Sequence, residues 1–455
     1  MRGLIVILTA LLGGISQAND LQARIDAADS GATIEVQPGV YGPIKTDKPI
    51  HLVGRDWPVI DGGGKSDCVV LVGGNSSISG FVIRNSGDDL DRESTGLRVI
   101  GKGATIEGNQ FENVLFGIDL KSAADCVIRG NHIGSMSLDI ARRGDALRLF
   151  RSDNCLIENN TIEDGRDALI WYSNKVVIRG NVSRRNRYGF HTMYANDVTI
   201  EGNDISDNSV GIYLMYGRNF TIRNNRLHKN RGPSGYGLGL KEIDAYTIHD
   251  NLFSGNRVGL YIDGSPMRRK ANKAFIENNV IASNDIGLTM LPAVKGNRVG
   301  GNTMSDNVEQ VAVLGRGALE GNDFTGNFWG DYAGYDANHD GVGDQPYASR
   351  KLFESLIDKE PKLRLMLFSP AHDAVEFIGR AIPAIQPEPK FTDARPLMRP
   401  TEIRTLIPTA MPRHSMTCAA LVLLGVPAMI AAALFVRIRF STHRRSLLAP
   451  IGVCT

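Results

Sequence analysis

Between residues 105 and 330 the chain sets short aliphatic runs against polar corners, with few stripes of 3.6-residue period. One phrase recurs: an aliphatic residue, two spacers rich in Gly, Asn, Arg and Glu, then Asn. It ends on Asn109, Asn131, Asn160, Asn181, Asn203, Asn225, Asn251, Asn279, Asn302 and Asn322, at spacings of 22, 29, 21, 22, 22, 26, 28, 23 and 20. About eight residues after most of these comes Gly or Asp followed by an apolar residue, as in Gly117-Ile118, Asp167-Ala168, Gly189-Phe190, Gly211-Ile212, Gly259-Leu260 and Gly287-Leu288. A period near 22 with two or three short β-rich runs per repeat predicts a solenoid. Helical repeats need longer 3.6-period stretches, and leucine-rich repeats need a Leu framework that is missing. Asn suits the corners because it tolerates left-handed backbone, and its amide can bond its counterpart in the next coil. The fold class expected is all-β: a right-handed parallel β-helix over residues 19–330, rising ~4.8 Å per coil.

The flanks add elements of other kinds. Residues 21–28 form a short amphipathic helix suited to capping the open end of the solenoid. The strands and Gln37-Pro38-Gly39 turn that follow resemble the opening of pectin-lyase-like β-helix proteins. Beyond residue 330 the pattern predicts an Asp/Gly-rich loop over 331–350 and a helical segment over 351–382, broken at Ser369-Pro370. A Pro-rich, semi-rigid linker is expected over 383–415. Residues 416–436 are apolar and uncharged, long enough to span a bilayer, and are followed by Arg437, Arg439, Arg444 and Arg445. Residues 1–18 read as a secretory signal ending at Ala18, since the apolar run is too short to span. Together these predict a periplasmic body, anchored in the inner membrane by a C-terminal helix, with a basic cytoplasmic tail over 437–455.

Phase along one sheet follows from the Gly mark. Positions one and three residues after it are almost all aliphatic (Ile118/Leu120, Ile212/Leu214, Leu260/Ile262) and point inward. Positions two and four then point outward, and an inserted residue at Gly144-Asp145 exposes Arg148. On the central coils the outer positions are Leu169, Trp171, His191, Met193, Tyr213 and Met215, a soft apolar patch of the kind that marks a partner or ligand. Imidazole and thioether donors suit Cu(I), so His191, Met193 and Met215 are the candidate copper ligands, with Leu169, Trp171 and Tyr213 as the docking face. The competing reading is that the C-terminal segment folds over this face. Tyr172, Tyr194 and Tyr216 predict a ladder at the sheet edge, and Cys126 and Cys155 stack inside as buried thiols. Asp336, Asn338, Asp340 and Asp344, with Gly341, match five positions of a calcium loop. Tyr347 stands where the bidentate Glu would be, so calcium and an Asx-rich turn both fit.

Composition narrows the class. Gly is 50 of 455 residues, against an average near 7%, and the excess agrees with many turns. A net charge of +2 gives no global field for nucleic acid, and no nucleic-acid partner is expected. Five Cys without a C-x-x-C pair exclude zinc-finger and thioredoxin-like frameworks.

The run Arg143-Gly-Asp-Ala-Leu-Arg-Leu149, then Tyr188-Gly-Phe-His-Thr-Met-Tyr194 and Gly211-Ile-Tyr-Leu-Met-Tyr216, resembles the NosD family of nitrous oxide reductase maturation proteins. Gly326-Asn-Phe-Trp-Gly-Asp331, Asp340-Gly-Val-Gly-Asp344 and Arg395-Pro-Leu-Met-Arg-Pro400 extend the likeness, which covers roughly residues 20–400. The resemblance implies a non-enzymatic periplasmic accessory factor. Its implied partners are the permease and ATPase of an ABC-type transporter, and nitrous oxide reductase or its copper chaperone. Its implied task is assembly of that enzyme's copper–sulfur centre, and the family is described as copper-binding, with copper, a sulfur species or a protein contact all open as the cargo. The apolar helix near the C-terminus departs from a freely soluble member. The alternative from another class is a polysaccharide lyase or epimerase, or a carbohydrate-binding β-helix protein. Lyase and epimerase chemistry needs clustered carboxylates beside a base, and the deduced outer face puts none next to His191.

Overall fold

A computed structural model describes residues 20–267, 274–315 and 317–401. The expected signal, the apolar stretch 416–436 and the basic tail lie outside the described residues. Among the described residues no helix is long and apolar enough to cross a membrane.

Each coil passes through three short strands, for example Phe116–Lys121, Val127–Arg129 and His132–Ile133, and each strand pairs in parallel with its counterparts one coil away. The third strands alone make a sheet of thirteen. Inward-pointing residues stack like on like. Ile106, Ile128, Ile157, Ile178, Ile200 and Ile222 are all fully buried in one column. The parallel solenoid expected from the repeat is therefore present.

The corners are held by asparagine. In Asn181 the backbone N–H and Nδ2 both donate to Asn203 Oδ1, at 2.8 and 3.0 Å, and the same pair of bonds repeats from Asn109 to Asn327. These side chains are almost wholly buried, so the ladder satisfies polar groups that would otherwise be orphaned in the core. The left-handed residue is not the ladder Asn but the one before it: Gly108, Gly130, Asn159, Gly180, Gly202 and Asn224 all have φ between 54° and 64°. This explains the recurrent Gly-Asn and Asn-Asn pairs. Two details differ from the sequence pattern. Asn322 receives Asn297 in a separate short ladder, while the main ladder runs from Asn302 to Asn327. A second ladder, Asn186–Asn208–Asn230–Asn256–Asn284–Asn307, lies at another corner and escaped the pattern because its spacers vary.

Both ends are closed. Helix α1 (Asp20–Ala27) buries Leu21 and Ile25 on the first coil, as its amphipathic pattern predicts. At the other end α2 (Leu352–Lys359) buries Phe353 and Ile357, and α3 (Pro370–Ala381) starts at Ser369, whose side chain accepts from the His372 N–H. Residues 383–401, expected as linker, instead return to the solenoid. Asp393 is fully buried and accepts from the Asn327 N–H, Asn327 Nδ2 and Trp329 Nε1, which ends the ladder on a carboxylate. Phe391 stacks on Phe324 at 4.3 Å, and Lys390 is buried against Glu309 and Asp358. Counting prolines misses this because the segment is held by a few buried side chains between them.

Candidate functional site

The face that carries the chemistry is built from Leu147–Phe150, Asp167–Trp171, Tyr188–Met193 and the start of Val210–Arg223, side by side. Register sets two outward rows. One reads Arg148, Leu169, His191, Tyr213; the other reads Phe150, Trp171, Met193, Met215. Phase was thus legible: Leu147, Leu149, Ile170, Ile212 and Leu214 are inside, and their neighbours point out.

Pointing out is not the same as being exposed. Asp119, Arg148, Leu169 and His191 are all buried. Strands one coil apart bring long outward side chains into lateral contact, and loops cover the rest. Arg148 donates to both oxygens of Asp119, at 2.9 and 3.0 Å, and to both oxygens of Glu93 from the loop before the preceding coil, at 2.7 and 2.9 Å. Those bonds to Arg148 hold the Glu93 carboxyl down at about 2, against the smaller cost of burying it. The face is therefore ionic at its N-terminal end and soft only around His191. The described tail does not cover it: the tail's bonds go to Glu309, Val311, Val313 and Asn327 on the last coils.

His191 sits in a made socket. Its Nδ1 lies 3.2 Å from Asp167 Oδ2 and its Nε2 lies 3.3 Å from Met215 Sδ. The ring meets Tyr188 edge-on at 4.9 Å and lies nearly parallel to Tyr213 at 6.2 Å. Tyr213 in turn spreads over Gly239, where a Cβ would come within 2.6 Å of the tyrosine ring. Burial raises the Asp167 carboxyl, but bonds from His191 and Arg187 outweigh it and leave Asp167 below the usual carboxylate range. A carboxylate on Nδ1 favours the tautomer that carries its proton there, which leaves Nε2 as the ring nitrogen on the Met215 side. Behind it, burial and the Asp167 charge push Asp145 up to about 6, against the pull of Arg166.

Of the proposed ligands, His191 and Met215 touch, and Met193 stands directly beside Met215 on the paired strand. Trp171 pairs with Met193, and its buried indole N–H has no partner. Asp167 corrects the expectation that no carboxylate stands next to His191. It occupies the mark position, which reads as a turn, yet it shares the outward parity of Leu169 and pairs with Tyr188, where the pairing register shifts by one. Arg187 and Tyr188 were missed for the same reason. The predicted edge ladder is present, with Tyr172 on Tyr194 at 4.9 Å and Tyr194 on Tyr216 at 5.1 Å. Cys126 and Cys155 are buried free thiols. In the loop at 336–344 the acids take up the loop's own backbone: Asp336 accepts from the Asp340 and Gly341 N–H groups, Asp340 from Val342, and Asp344 from Ala337. That is the Asx-turn arrangement. Among the described residues no cluster of three or more His, Cys, Asp or Glu could hold a metal ion.

The sequence profile of a family described as periplasmic copper-binding protein (NosD) matches residues 130–334. A curated "probable ABC transporter binding protein NosD" of Pseudomonas aeruginosa is 30% identical over 400 residues, covering 85% of this chain and 91% of that protein. The chain belongs to the NosD family. A second NosD relative, from Stutzerimonas stutzeri, is 28% identical over 87% of this chain and 94% of its own length. Among solved structures, the NosD-family solenoid is similar to the A-module of Azotobacter vinelandii mannuronan C-5 epimerase AlgE4 (TM-score 0.54, 16% identity, 68% of this chain and 96% of that one). It is also similar to the A-module of epimerase AlgE6 (TM-score 0.51, 18% identity, 68% and 93%). At such identity these two likenesses speak for the parallel β-helix alone.

Proposed function

We propose that this NosD-family chain is a non-enzymatic periplasmic accessory protein that handles Cu(I) as cargo during assembly of the copper–sulfur centre of nitrous oxide reductase. It acts with an ABC-type transporter and is tethered to the inner membrane through residues 416–436. One observation carries the copper reading: a buried carboxylate lies on one ring nitrogen of His191 while the other meets a thioether, with a second thioether alongside. Soft thioether and imidazole donors are the set that Cu(I) prefers, and a carboxylate on the far nitrogen is what usually orients a ligating histidine. The family description and the relatives' names support the same reading from outside the geometry.

The lyase or epimerase reading has less behind it. Asp167, the carboxylate bonded to His191, also accepts from Arg187 with both of its oxygens and is thereby occupied. Uronate chemistry needs carboxylates free to neutralise substrate or bind Ca²⁺.

The test is a Cu(I) competition titration of residues 19–415 beside His191→Ala/Met193→Leu/Met215→Leu. Tight stoichiometric binding that the triple variant loses is the expected result. An intact ectodomain that binds no Cu(I) overturns the copper assignment, leaving the soft face as a surface for protein contact.

A further inference from the structure

Helix α3 meets α2 through Gly379, where a Cβ would come within 2.9 Å of Leu352, and through Glu376, which accepts from the Phe353 N–H. That contact decides which side of α3 is covered. Beyond that contact, α3 and the turns that flank it leave large apolar side chains in the open: Leu365 is 91% exposed, Phe368 81% and Phe377 68%, and Ile378, Ile382 and Ile385 are each more than 40% exposed. Elsewhere the described exposed apolar residues are scattered, whereas here, with Met366, seven fall within 21 residues. An exposed apolar cluster of this density marks a surface that is covered in use.

The length of chain beyond the structure says what covers it. Thr401, on the same terminal coils, is held by its N–H to Thr303 Oγ1 at 2.8 Å and by its hydroxyl to the Gly301 carbonyl at 2.6 Å. The apolar stretch begins 15 residues later, at Met416. Even fully extended, that tether reaches only about 50 Å, so a membrane holding residues 416–436 is never farther than this from the C-terminal end of the solenoid.

We infer that the exposed face of the tail, from Leu365 to Ile385, lies in the interfacial region of the bilayer, as amphipathic surface helices do. It thereby fixes how the solenoid stands on the membrane. This rests on the tethering proposed above, and the occupant it names is lipid rather than a permease.

The experiment uses the full chain in vesicles of phosphatidylethanolamine and phosphatidylglycerol whose acyl chains are brominated. Phe368→Trp and Phe377→Trp each add one fluorophore to a parent that carries Trp57, Trp171 and Trp329. The added emission is expected to fall by about half or more in brominated lipid, while the parent's emission barely changes. A full chain that floats with the vesicles but shows no quenching at either position overturns the inference and leaves the tether standing. So does a response at 368 and 377 that appears only when the permease is added, since this assigns the face to protein. A chain ending at Thr401, which keeps both caps and the whole core, separates the two ideas. If the full chain fails to float, the tether falls. Quenching of the shorter Phe368→Trp chain, abolished when Phe377→Glu is added, then still establishes the lipid-facing surface.

Discussion

Replacing Asp167 with Asn tests the site at the group that organises it. The substitution keeps size and shape but removes the charge that accepts from His191 Nδ1 at 3.2 Å and from Arg187 Nε at 2.8 Å. An amide oxygen can still accept one of these bonds, yet the Asn NH₂ can then face only donors. The histidine loses the field that selects its Nδ1–H tautomer. Loss of such an outer partner typically weakens metal binding 10–100-fold, about 1.4–2.7 kcal/mol. Cu(I) competition against a chromophoric chelator reads the affinity, and the ¹⁵N shifts of His191 read the tautomer, which a purely structural role would not move. Asp145→Asn serves as control, because Asp145 bonds Arg166 and does not touch His191. Asp167→Asn should weaken Cu(I) binding and populate the Nε2–H form, and Asp145→Asn should do neither. Unchanged affinity in a folded Asp167→Asn protein would falsify the role given to this carboxylate.

Two further predictions concern stability. Asn203→Ala removes bonds donated to the Ile178 carbonyl and Asn225 Oδ1, and strands the Asn181 N–H, while Asn181 Nδ2 keeps the Ile157 and Arg179 carbonyls. With one buried orphan costing about 1–3 kcal/mol and the lost bonds about 1 kcal/mol more, a loss of about 2–4 kcal/mol is expected, and a shift in urea unfolding below about 1 kcal/mol would refute the ladder's importance. Glu93 has its folded pKa depressed from 4.5 to about 2, chiefly by Arg148. Its contribution is present above pH 4.5 and lost as pH falls toward 2. Glu93→Gln should therefore lower Tm at pH 7, with the gap to the parent closing over that window. Because the side chain is about a third exposed, screening keeps the effect modest.

What the sequence alone determined is what repeats. A 22-residue period of aliphatic runs and Asn corners dictates parallel coils, because identical residues one coil apart must stack, and stacking like on like buries Ile on Ile and pairs amide with amide. The same periodicity specified which side of the central strands His191, Met193, Tyr213 and Met215 occupy, and it marked the capping helix and the Ser369-Pro370 break. The tertiary structure decided what does not repeat. Asp167 reaches His191 from a position that the repeat marks as a turn, beside an irregularity in the strand pairing that a strict period does not contain. Arg148 is buried because Glu93 arrives from a loop 55 residues earlier, a contact that no local pattern encodes. Lys390 and Asp393 close the end of the solenoid because the last coil leaves donors and acceptors without a next coil to pair with. Local alternation settles the direction in which a side chain leaves the backbone, whereas its burial and partners depend on segments distant along the chain, and only the folded coils bring those together.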